Sequence, residues 1–215
     1  MSNNNNTYEH TDMIDPPLKV RGSQFVRENI NAVTVDVFGH LSTKGSVSTS
    51  KLKVSGDCTI WGNCKANQVN NLGSLRVQNI QADNLRSSGY MSVAENAAAG
   101  TFYAEGAVKI KRLTADSSIE IRLGNRSTVE VMRAGGNIIV KPSSKLINAL
   151  MHPFRKLTCS TIEGTNITLY RTTADLVCGE EIIVGPGCTI GEIRYSKSLT
   201  VDLKSQVDRT VFLNP

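Results

Sequence analysis

Five cysteines, Cys58, Cys64, Cys159, Cys178 and Cys188, carry the most reactive side chains of this 215-residue chain. A thiol acts as a nucleophile or metal ligand only when something lowers its pKa or a second ligand stands at a fixed spacing. No CxxC pair is present, the count is odd, and no sequence neighbour supplies an activating base, so the thiols read as reduced core residues rather than a disulfide framework or a zinc site. The three histidines, His10, His40 and His152, are scattered, and none has a metal-spaced partner. The Gly-rich stretch from Val184 to Gly191 could in principle cradle a phosphate, but it lacks the Lys-Ser/Thr of a P-loop and does not spell GxGxxG. Neither a catalytic constellation nor a cofactor site emerges, and no small-molecule substrate is expected.

Composition narrows the class further. With 40% hydrophobic but only 5% aromatic residues, the chain can bury a core, and that core must be aliphatic and made of small layers. The net charge of +5 is too mild to imply nucleic acid as a partner. The first residues, MSNNNNTYEHTDMID, have neither a basic nor an apolar region of the secretory kind, and no apolar run reaches the roughly 18 residues that span a bilayer. A cytoplasmic location is therefore expected, and the sequons at Asn125 and Asn166 are read as chance matches.

The elements that position everything else are set by a repeat. Glycines fall at 39, 56, 73, 89, 106 and 124, with differences of 17, 17, 16, 17 and 18. Two residues after successive glycines come Leu41, Cys58, Leu75, Met91 and Val108; two further on come Ile60, Val77, Val93 and Ile110. Val47 and Cys64 lie eight after the beat, and Leu52, Val69, Leu85, Phe102 and Ile119 form a column about thirteen after it. Short period-two alternation around each column means strands with one face inward, and the Gly, Asn, Asp and Ser between them turn the chain. Antiparallel neighbours would need reversals more often than every 17 residues. The pattern predicts an all-β parallel β-helix, or solenoid, whose coils sit about 4.8 Å apart and saturate each other's backbone. Such a stack is satisfied along its sides and unsatisfied at its two ends.

Around that solenoid the chain divides into a polar, disordered tail over residues 1–17, N-terminal coils over 18–141, an insertion over 142–156 and C-terminal coils over 157–213. The insertion carries helical spacing through Leu146, Ile147, Leu150, Met151 and Phe154, and it is basic, with Lys141, Lys145, Arg155 and Lys156 and no acid from 141 to 158. Lys145, Leu146, Leu150, Phe154, Arg155 and Lys156 are the candidates for contact with a membrane or a partner; packing over the side of the solenoid, with a hinge there, is the alternative.

Two resemblances bear on function. IVGPGCTIG, at 183–191, resembles a hexapeptide turn of the left-handed β-helix acyltransferases, but the hexad lasts barely two units and has no histidine nearby. The coils VTVDVFGHLSTKGSV (33–47) and LKVSGDCTIWGNCKA (52–66), with the ending ADLVCGEEIIVGPGCTIGEIRYSKSLTVD (174–202), resemble bactofilins, the bacterial polymer-forming cytoskeletal proteins, over residues 25–213. The ending is similar to longer members of that family from Bacillus-type Firmicutes, which are associated with motility and flagellar assembly. The resemblance implies a right-handed parallel β-helix and coils that stack end to end between subunits. It also implies nucleotide-independent, non-polar filaments of this chain or of it with a related bactofilin, scaffolding other proteins, often at the inner face of the membrane. It further implies an aromatic in the last coil that supports polymerisation, for which Phe212, with Val211 and Leu213 beside it, is the counterpart. The expectation is thus a non-enzymatic scaffold without cofactors; an acyltransferase-like or carbohydrate-active β-helix enzyme is the competing reading.

Overall fold

The computed structural model describes residues 16–143 and 155–214. Among them there is no helix, and strands follow one another around a parallel β-solenoid of about 11 turns. The early strands are β1 (Leu18–Val20), β2 (Ser23–Val26), β3 (Ile30–Val37), β4 (His40–Thr43) and β5 (Val47–Val54). Longer strands bend around the corners: β6 (Asp57–Asn71), β7 (Ser74–Ser87) and β8 (Tyr90–Leu123). The C-terminal turns hold β9 (Ser127–Ala134), β10 (Asn137–Pro142), β11 (Leu157–Glu163), β12 (Asn166–Leu169), β13 (Thr172–Val184), β14 (Thr189–Val201) and β15 (Gln206–Phe212).

Every pairing is parallel, and the registers reproduce the expected columns. Val35 pairs with Leu52, Leu52 with Val69, Val69 with Leu85 and Leu85 with Phe102. Each turn supplies three inward pairs, as in Leu52 and Val54, Cys58 and Ile60, Cys64 and Ala66, all buried. We refer to the three sides these pairs define as the first, second and third face. All the columns read from the glycine beat prove buried, from Leu41 and Cys58 to Phe102 and Ile119. The narrow interior is why aliphatic side chains suffice, with Phe102 the one phenylalanine among the described residues that is fully buried.

The glycine beat has a different cause from the expected sharp turn. Among the described glycines only Gly187 has positive φ, at 78°. At Gly39, Gly56, Gly73 and Gly89 an added Cβ would instead stand 2.0–2.1 Å from the carbonyl oxygen of the glycine one coil before. Corners stack backbone on backbone there, as in the bonds from Ser74 N to Gly56 O (2.9 Å) and from Tyr90 N to Gly73 O (2.8 Å), leaving no room for a side chain.

The stack runs through the insertion without a break. β10 pairs with β8 on one side and β12 on the other, and β11 pairs with both β9 and β13. The register steps from Ile138 to Ile167, so one turn absorbs the whole extra segment, and the ladder shows no hinge at this point. The stretch 183–191, suggestive of a hexad, belongs to the same turns: Val184 pairs with Val201 and Ile190 with Val207, each 17 residues on.

Candidate functional site

The residues expected to support polymerisation lie at the C-terminal end of the stack. Among the described strands β15 pairs only with β14, so its outer edge offers a row of backbone groups that no described strand pairs. Phe212 stacks edge-to-face on Tyr195, with ring centroids 5.4 Å apart, and is 53% exposed. Val211 is half-buried beside it, and Leu213 is exposed. The aromatic pair terminates a column of small residues, Ala115, Ala134, Gly164 and Gly179, in which Gly179 pairs with Tyr195 and Tyr195 with Phe212. Those small side chains leave a surface groove of about 600 Å³, with Leu213 among its lining residues. Its rim is charged: Arg133 Nε lies 2.8 Å from Glu163 Oε2, and Lys197 Nζ lies 2.6 Å from Glu180 Oε2.

The same end is more open than three residues suggest. Inward-facing Leu199 and Val207 are only partly buried, and Val201 is exposed, since none of the described strands stacks on that side of them. Leu203, which the sequence reading missed, is fully exposed on a turn held by bonds from Lys204 N to Asp202 Oδ1 (2.8 Å) and Ser205 N to Asp202 O (3.0 Å). A leucine held in water by an ordered turn costs solvation energy that a partner surface would recover. At the opposite end, among the described residues, β1 pairs only with β3 and β2 only with β4, so one edge of each has no described partner. There Val20, Ile30 and Ala32 are buried, and Leu18 and Val26 are half-buried.

The groups with reactive chemistry are absorbed by the fold. Cys58, Cys64, Cys159 and Cys188 are buried, and none of the five cysteines is disulfide-bonded. Burial pushes the thiols of Cys64 and Cys159 up to about 12, and burial plus the neighbouring Cys64 does the same to Cys58. Such thiols are the opposite of activated nucleophiles. Cys178 faces outward between Glu163 and Arg194 of adjacent turns. In the Gly185-Pro186-Gly187 turn, Gly185 N is bonded to Leu169 O (2.8 Å) and Gly187 N to Lys204 O (3.2 Å), so these amides are committed to the ladder and do not converge on an anion. His40 is exposed; His10 and His152 lie outside the described residues.

Of the expected membrane or partner contacts, Lys145, Leu146, Leu150 and Phe154 lie outside the described residues, as does most of the tail. Arg155 and Lys156 are half-buried where the chain re-enters the stack, and Lys156 O accepts a bond from Ser127 N at 2.9 Å. One interior position also escaped the sequence reading. Asn71 is fully buried in a column otherwise formed by residues such as Val37 and Val54, and it donates to Ser87 Oγ (2.9 Å) and Tyr90 O (2.8 Å). An Asn-Asn pair two residues before a corner glycine reads as a turn until register places Asn71 inward.

No family model matches the chain, and no solved structure matches it. It is 37% identical over 93 residues to the uncharacterized protein YhbF of Bacillus subtilis (strain 168). The similar stretch covers 42% of this chain and 38% of YhbF, so the likeness is confined to a part of each. No helix among the described residues is long and apolar enough to cross a membrane.

Proposed function

We propose that the chain is a non-enzymatic scaffold subunit that associates with further copies of itself, or with a related solenoid, through the ends of its coil stack. This is the behaviour that the bactofilin resemblance of its glycine-centred coils implies. The observation that carries the reading is the C-terminal coil. Leu199, Val201 and Val207 occupy inward columns and Phe212 ends the groove column, with no described strand stacked upon them or paired with the outer edge of β15. A matching coil end would pair that edge and bury those side chains at once, and the product would present a fresh end, so growth need not stop at a dimer. No nucleotide is required, because the driving force is apolar burial and ladder hydrogen bonding. Support for cell shape, or for flagellar assembly and motility, is the cellular role in keeping with the resemblance.

The test is sedimentation velocity of purified protein with and without nucleotide, on wild type and on Phe212→Arg. Large, nucleotide-independent assemblies that Phe212→Arg shortens or abolishes support the reading. A monodisperse species unaffected by the substitution removes it.

A further inference from the structure

The second face of the first four coils combines aromatic and basic side chains in a way the end-to-end reading does not use. Phe25 (55% exposed), Phe38 (51%), Trp61 (65%) and Leu72 (52%) are four of the ten large exposed apolar side chains among the described residues. They are far apart in sequence, and register brings them to one side. Phe25 stands beside Ser42 and Ser42 beside Thr59 on the outer surface of β2, β4 and β6. Phe38 and Leu72 mark the corner before that face, where their amides bond Val20 O (2.8 Å) and Val54 O (2.7 Å) of the preceding coils. Trp61 marks the corner after it, one step beyond the Thr43–Ile60 pair and so over Lys44. Arg21, Arg27, Lys44 and Arg76 occupy the same face and corners, against Asp57, which lies 3.9 Å from Arg76, and Glu28, which follows Arg27 at the corner beneath Gly45. Lys53, from the adjoining face, holds its Nζ 5.7 Å from the Phe38 ring centroid.

We infer that this face of coils one to four docks on an anionic lipid surface, with Trp61, Phe25 and Phe38 entering the headgroup region and Arg27 and Lys44 contacting lipid phosphates. The face is about 20 Å across and about 14 Å along the stack, from strand rise and coil spacing. Between its corners two outward columns run along the stack, Ser23, His40, Asp57 and Ser74 in one and Phe25, Ser42, Thr59 and Arg76 in the other. Hot spots of a protein interface fill pockets on a shaped partner, whereas a bilayer asks only for a flat surface with amphipathic rings and flexible cations. Two amide-lined grooves of about 560 and 470 Å³ lie on the third face and not on this one. This site is independent of coil-end association and stands or falls without it.

Vesicle flotation of the full chain separates lipid-bound protein from free assemblies, which stay at the bottom of the gradient. Trp61 is the only tryptophan, so its emission reports on this face alone. Protein should float with phosphatidylglycerol-containing vesicles and not with pure phosphatidylcholine, with blue-shifted Trp61 emission and loss of flotation in high salt. Each basic side chain near an anionic surface strengthens binding about fivefold, so Arg27→Gln with Lys44→Gln should weaken it about thirtyfold. The matched change Lys51→Gln with Lys65→Gln, in the same coils outside this face, should leave it within about threefold, and Phe25→Ser with Phe38→Ser should reduce the blue shift. Equal flotation with both vesicle types, Trp61 emission unmoved in floated protein, or equal losses in the two lysine- and arginine-to-glutamine pairs would overturn the inference. So would binding of RNA or an acidic protein through these residues without flotation.

Discussion

Replacing Gly73 by Ala is the sharpest probe of why glycine recurs. The new Cβ would stand 2.1 Å from Gly56 O and 2.7 Å from Ser55 O, both backbone atoms with no flexible side chain to move aside. An ordinary contact needs more than 3.4 Å, so the two coils must separate at this corner by over an ångström. That separation breaks or stretches the bonds of Leu72 N and Gly73 N to Val54 O (2.7 and 3.1 Å) and of Ser74 N to Gly56 O (2.9 Å). At about 1 kcal/mol for each of the three hydrogen bonds, with up to about 2 kcal/mol for lost packing, the cost is about 3–5 kcal/mol. Gly22 heads the same column, but nothing lies within 4 Å of its added Cβ. Gly22→Ala should therefore be neutral or stabilising by up to about 1 kcal/mol through reduced freedom of the unfolded chain. Urea denaturation followed by circular dichroism reads both variants. A Gly73→Ala midpoint indistinguishable from wild type, or equal losses in the two variants, would refute backbone stacking as the reason for the beat.

Other consequences follow from particular side chains. Burial holds the protons of Cys58, Cys64 and Cys159 to a pKa of about 12 against an ordinary 9.0, so the unfolded state releases them first and stability, full below pH 9, falls as pH rises toward 12. At pH 10 the three thiols together cost about 4 kcal/mol, and replacing all three with Ala should flatten the loss of melting temperature between pH 8 and 10. Asn71→Val alone leaves Ser87 Oγ and Tyr90 O without their donor and should cost about 1–3 kcal/mol, whereas Asn71→Val with Ser87→Ala should recover part of that loss, a comparison read by thermal melts. Leu203→Asp, at a fully exposed position, should leave the melting temperature within about 1 °C while reducing assembly in sedimentation; unchanged assembly removes Leu203 from the interface.

Much of this fold is legible in the sequence because a solenoid repeats its chemistry. Leu41, Cys58, Leu75, Met91 and Val108 occupy one buried column, and a spacing count finds them without any structure. The count also locates the glycines, but gives the wrong reason for them, since spacing cannot distinguish a turn that needs positive φ from a corner that needs an absent side chain. Asn71 was hidden because a polar residue at an inward position looks like a turn. The exposed set Phe25, Phe38, Trp61 and Leu72 was hidden because its members occupy different positions within the repeat, and only the three-face geometry gathers them. Phe212 lies on β15, while the exposure of Val201 and Leu203 is legible only from the register, in which β15 pairs with β14 over Thr189 to Tyr195 and no described strand stacks on the far side of Leu199 to Val201.

Electron microscopy of purified protein at physiological salt, with the axial repeat measured from the power spectrum, tests end-to-end association most directly. About 11 turns at about 4.8 Å predict filaments one solenoid wide, with a layer line near 4.8 Å and a subunit repeat of about 53 Å, or about twice that if neighbours alternate direction. Closed rings, discrete oligomers or particles that remain single across the accessible concentration range would contradict the account.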